Sequence, residues 1–206
     1  MNNNSKQFFD VVKNGDLVGF HYKKWDYIIA KTIDFFAYRF NPMKEKLIRI
    51  EHIGMIFDVV KDNHTITFSF GESLGSEGGK KVSRFAINKN DDEYLIDSKF
   101  LNKNIDYYVI SCKEELSKNE NIYARKFWNK KEEYSVINAM ISPNWTQKLL
   151  KIFIKNRNLD NLDNFCSGEV NRFFFDIGRC DNCDLLPSPA EIINQSYVNK
   201  DKIFKL

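Results

Sequence analysis

His52-Ile53-Gly54-Met55-Ile56-Phe57-Asp58-Val59-Val60 decides how the chain folds. Nearly every side chain in it is apolar, as in a strand at the centre of a sheet whose two faces are both covered. Asp62-Asn63 turns the chain into Thr65-Ile66-Thr67-Phe68-Ser69-Phe70, where apolar and hydroxyl residues alternate. That period of two marks a half-buried strand, so the two runs predict an antiparallel hairpin.

Working outward, Asn14-Gly15-Asp16 is a turn leading into a strand at Leu17 to Tyr22. Beyond the hairpin, Gly71 to Lys81 is glycine-rich and reads as irregular. Strands are expected at Lys81 to Ile87 and Asp106 to Cys112, with a polar loop at Asn88 to Asp92.

Helices are expected at Ser5 to Lys13, residues 114–128 and residues 146–155. Another runs from Asp26, where Ile29, Ile33, Phe36, Ala37 and Phe40 recur at helical spacing, to the stop at Asn41-Pro42. The strongest helix starts at Cys166. Its apolar stripe is Cys166, Val170, Phe173, Phe174 and Ile177, with Asn164 placed to cap its start and Gly178 its end. No repeat or linker divides the chain, so residues 1–206 read as one domain.

Composition narrows the function classes. The 31 Lys and Arg against 28 Asp and Glu leave a net charge of +3, with both signs interspersed, which argues against nucleic-acid binding driven by bulk charge. The apolar stretches are broken by Lys31, Asp34, Arg39 and Lys151, short of the ~20 apolar residues a membrane span needs. The first residues show no secretory signal, so a cytoplasmic location is expected. Four cysteines, Cys112, Cys166, Cys180 and Cys183, are too few for a disulfide-built fold.

Cys166 is the candidate nucleophile, because the first turn of a helix offers unpaired N–H groups and a dipole that stabilise a thiolate. A small buried core cysteine would carry the same signature. Of the three histidines, His21 and His64 read as solvated surface residues. His52 opens the central strand, where a ring at the rim of the sheet can face a cleft. The hairpin brings Glu72 towards it as an orienting carboxylate, with Glu51 and Asp58 as competitors; Glu51 should point to the opposite face.

The segments Gly15-Asp16-Leu17-Val18, Glu51-His52-Ile53-Gly54-Met55, Phe70-Gly71-Glu72-Ser73, Val82-Ser83-Arg84-Phe85, Phe165-Cys166-Ser167-Gly168-Glu169-Val170 and Leu186-Pro187-Ser188-Pro189-Ala190-Glu191 stand in that order. The set resembles the circularly permuted papain-like hydrolases, the NlpC-related group of the YiiX and YebB type, with lecithin:retinol acyltransferase more distant. The resemblance covers about Gly15 to Ile192. It implies an α+β, permuted papain-like fold, an antiparallel sheet or half-barrel packed against helices, with the nucleophile at a helix N-terminus. It further implies Cys166 as nucleophile, His52 as general base and acid, Glu72 as the third residue, and Tyr134 and Ser167 on the substrate side.

The activity so implied is cleavage of an amide or isopeptide-type bond in a peptide-like or acyl-amide substrate, through a thioester and without a cofactor or metal. Two rival expectations stand beside it. One is thiol-dependent acyl transfer or lipid hydrolysis, motivated by the apolar helix from Asp26 to Phe40. The other is an inactive papain-like scaffold, of the kind a phage or viral particle would use. Gly75-Ser76-Glu77-Gly78-Gly79-Lys80-Lys81 is one residue short of a P-loop and reads as a loop beside the site. Cys180-Asp181-Asn182-Cys183 lacks the second half of a zinc site and reads as a local surface feature.

Overall fold

The computed structural model describes residues 10–23, 48–74, 79–90, 93–96, 104–132, 165–180 and 187–206. Their strands are β1 (Leu17–Tyr22), β2 (His52–Lys61), β3 (Thr65–Leu74), β4 (Gly79–Asn90), β5 (Glu93–Ile96), β6 (Ile105–Cys112) and β7 (Val198–Lys205). All pairings are antiparallel, in the order β5-β4-β3-β2-β1-β6-β7. With helices α1 (Lys118–Asn129) and α2 (Cys166–Asp176) and a 3-10 helix at Pro189–Asn194, the described residues form an α+β architecture around this open sheet. No helix among them is long and apolar enough to cross a membrane.

The apolar run that opens β2 does lie mid-sheet, between β1 and β3, with Ile53, Met55, Ile56 and Phe57 at most 1% exposed. Alternation divides their side chains. Ile53, Met55 and Phe57 join Trp128 of α1 and Val170, Phe173 and Phe174 of α2 in one core cluster. Ile56 joins Val18, Phe68, Phe70 and Tyr107 in a second.

Several expectations shift. The segment Gly71 to Lys81 is not irregular at its ends, because the β3–β4 ladder continues to Leu74 opposite Gly79. The loop at Asn88 to Asp92 is shortened likewise, since β4 runs to Asn90, which pairs with Glu93. The helix foreseen from residue 114 begins at Lys118, where Ser117 and Glu120 form a reciprocal capping box that ends the preceding turn. Phe165, not Asn164, is the N-cap of α2, and it supplies no side-chain hydrogen bond. The short 3-10 helix and β7 carry too few periodic residues to have been foreseen. The helices expected at Asp26 to Phe40 and residues 146–155, and most of the one at Ser5 to Lys13, lie outside the described residues.

The end of α2 follows its sequence signal closely. Gly178 adopts φ 73°, its N–H bonds Phe175 O, and Arg179 N–H bonds Phe174 O, a Schellman closure that glycine makes without strain. Arg179 then grips the start of α1, with Nε and Nη2 donating to Glu120 at 2.8 and 2.7 Å and two further bonds to the carbonyls of Glu114 and Glu115. The two helices are thereby fixed to one another as well as to the sheet.

Candidate active site

His52, Glu72 and Cys166 meet. His52 begins β2, and Glu72 on β3 is the register partner of Gly54, so the imidazole and the carboxylate are diagonal neighbours across the ladder. His52 Nε2 and Glu72 Oε2 are 2.8 Å apart. Gly54 between them is required: a Cβ there would overlap the Phe70 ring. Phe20, directly opposite His52, stacks at a tilt on the imidazole with centroids 5.1 Å apart and holds the ring from the β1 side.

Cys166 reaches this pair from α2, whose apolar stripe packs on β2 and β3. Its side chain lies within interaction range of the His52 ring and bears on that ring's protonation. Glu72 occupies Nε2 of that ring. Phe20, the aromatic neighbour of the ring, packs against the other core cluster, so the imidazole stands where the two clusters meet.

Electrostatics favours a charged ring. Burial opposes a charge on His52 and is the largest single influence, but negative charge on Cys166 and the Glu72 carboxylate together outweigh it, pushing the imidazole up from 6.5 to about 10. Around the sulfur the N–H groups of Cys166, Ser167 and Gly168 begin the helix and have no partner in its own ladder. Ser167 is fully buried and its Oγ makes no hydrogen bond. Cys166 itself is 1% exposed. Tyr134 lies outside the described residues.

The competing carboxylates are engaged elsewhere. Asp58 sits at a bulge with φ 55° and accepts from Arg125 Nε at 2.7 Å and from Asn121 Nδ2 at 2.6 Å. Glu51 does point away from His52: it accepts from His21 Nδ1 at 2.8 Å and from the Tyr22 N–H at 3.0 Å. His21 is therefore not a solvated residue. Its side chain is 16% exposed and tied to a carboxylate that is fully buried, a pairing hidden in the sequence because it depends on register. His64 is exposed in its hairpin, as expected.

A second charged cluster also went unseen. Lys80, which the glycine-rich run suggested would be in a loop, lies in β4 with its side chain 1% exposed. Its Nζ is 3.0 Å from Oε2 of both Glu132 and Glu169, and 3.7 Å from the centroid of the Phe127 ring. Burial pushes the Glu169 carboxyl up from 4.5 to about 7, against the pull of Lys80. Cys180 is not at the surface either; it is buried, with Sγ 3.5 Å from Asn171 Oδ1. Cys183 lies outside the described residues, among which no group of three or more potential metal ligands occurs.

Compared with known proteins, the chain matches no family model and no curated protein.

Proposed function

We propose that the protein is a cysteine hydrolase of permuted papain-like architecture that cleaves an amide or isopeptide-type bond through a thioester. One observation carries the reading: His52, 2.8 Å from Glu72, lies within interaction range of Cys166 at the start of α2. Nucleophile, base and orienting acid in that sequence of contacts are what acyl transfer to sulfur requires.

In the first step the Cys166 thiolate attacks the carbonyl carbon. The oxyanion forms beside the N–H groups at the start of α2, and the imidazolium of His52 gives its proton to the leaving amine. In the second step neutral His52 takes a proton from water, whose oxygen attacks the thioester carbonyl. The acid leaves and the sulfur returns as thiolate. Glu72 keeps the ring oriented and stabilises its cationic form throughout. Transfer of the acyl group to an added amine or alcohol instead of water uses the same residues, and product analysis with an added amine separates the two. The 1% exposure of Cys166 favours one other reading, a scaffold with a silent site.

The test is site-resolved alkylation of the cysteines by iodoacetamide across pH, in the wild type and in His52→Ala. Rapid labelling of Cys166 near neutral pH, lost in the variant, is the expected result. Labelling as slow as that of Cys112, whose thiol burial pushes well above its ordinary value, would leave only the scaffold. With a substrate in hand, Cys166→Ala should abolish turnover.

A further inference from the structure

We propose that Lys80 is a positioning residue, one that holds the first turn of α2, and with it the Cys166 sulfur, against the His52 rim of the sheet. This rests on the reading of Cys166 and His52 as a reactive pair and adds the device that keeps them in register.

The argument starts from where the ions sit. Glu169 is three residues beyond Cys166, on the same face of the same helical turn. Lys80 stands on β4 opposite Ser73, the residue after Glu72, and its neighbour Lys81 pairs with Glu72 itself. The contact from Lys80 Nζ to Glu169 Oε2 therefore ties the helix bearing the nucleophile to the strand pair bearing the orienting acid. Glu132 and the Phe127 ring complete the enclosure of the ammonium.

These contacts are set by charge more than by directed hydrogen bonds. Neither Lys80 Nζ nor either Glu169 oxygen makes a hydrogen bond of good angle, although the ions are 3.0 Å apart. Two buried ions that fulfil no hydrogen-bond pattern are costly to keep, and apolar residues would fill the same space more cheaply. What they add is a fixed distance between α2 and β4. The apolar stripe of α2 secures which face of the helix is buried, but apolar packing is non-directional and tolerates small slides. A displacement on the order of 1 Å at a reacting group is enough to cost on the order of 100-fold in rate.

The charged groups around Glu169 are Lys80 of β4, Glu132 beyond α1 and Arg172 one turn further along α2; Lys130 pairs with Glu132 on its outer side at 2.6 Å. None of them touches the imidazole. Loss of the Glu169 charge by itself favours the thiolate and would move the Cys166 midpoint down, so an upward shift in these variants reports the sulfur's distance from His52.

The experiment uses the full chain and follows Cys166 alkylation by iodoacetamide from pH 5 to 10, with the thermal midpoint as the folding control. Glu169→Gln keeps the shape of the side chain and removes its charge. Lys80→Met with Glu169→Met removes both ions and leaves an apolar contact. Both variants should fold, label Cys166 about tenfold more slowly at pH 7, and move the alkylation midpoint upward, towards that of His52→Ala. If the double variant labels at the wild-type rate with an unshifted midpoint while His52→Ala is slow, the clamp does not position the sulfur and the proposal is overturned. If His52→Ala itself labels like the wild type, the reactive pair fails, and the clamp's role falls with it.

Discussion

At the scale of single residues, the site depends on what surrounds one imidazole. Glu72 takes Nε2 at 2.8 Å, and the charge it holds there is part of what keeps His52 protonated up to about 10. Glu72→Gln preserves the volume and a possible hydrogen bond but removes that charge. The imidazolium should then lose its proton at lower pH, and Cys166 alkylation at pH 7 should slow by about tenfold, equivalent to about 1.4 kcal/mol. A variant that alkylates like the wild type across the whole pH range would make Glu72 a bystander. His52, Glu72 and Cys166 could each be picked out from the chain, because a helix start, a strand start and a hairpin are local features. The ties of His21 to Glu51 and of Lys80 to Glu169 could not, since each depends on pairings between segments 30 or more residues apart.

At the scale of elements, β2 and β3 do more than form a hairpin: their register sets the diagonal from His52 to Glu72. Gly54 occupies the crossing point, where the Phe70 ring leans over the strand. Gly54→Ala should force that ring aside and, through Phe20, which touches both Phe70 and the imidazole, disturb His52, lowering stability by about 1–3 kcal/mol, as overpacking does. Chemical denaturation measures that loss, and labelling of Cys166 should fall in the same variant while the protein is still folded. An alanine that is tolerated in both measurements would show that the Phe70 ring and the Gly71 carbonyl both give way. The hairpin was legible because Thr65 to Phe70 alternates so clearly. Its extension to Leu74 was not, for Gly71, Glu72 and Ser73 look like loop residues until Trp128 of α1 is seen packed against Gly71. In the same way β7, with Lys200, Asp201 and Lys202 at its exposed middle, carries a charged pattern that only pairing with β6 makes a strand.

At the scale of the whole molecule, the buried ionisable groups set where on the pH axis the fold is strongest. Asp16 accepts from the backbone N–H groups of Lys13 and Cys112, yet burial dominates and pushes it up from 3.8 to about 6. Glu169 is pushed up to about 7 by the same cause. An acid whose folded value is raised binds its proton more tightly in the folded chain than in the unfolded one, so stability falls as pH rises through the window from about 4 to about 7. His52 is also raised, and its contribution is fully present below 6.5 and lost as pH climbs through about 10. Glu132 acts in the opposite sense: burial opposes its charge, but Lys130 and Lys80 outweigh it and hold the carboxyl near 2, so its contribution is lost only on acidification below about 4.5. These terms together place maximum stability well on the acid side of neutrality, near pH 4, and a urea midpoint measured from pH 3 to 9 should peak there. Asp16→Asn combined with Glu169→Gln should flatten the decline between pH 4 and 7 and leave the fall above pH 7, which His52→Gln should remove. A wild-type midpoint that instead rises from pH 5 to 7.5 would mean that both acids ionise freely in the folded chain and that the pull of Lys80 on Glu169 outweighs its burial.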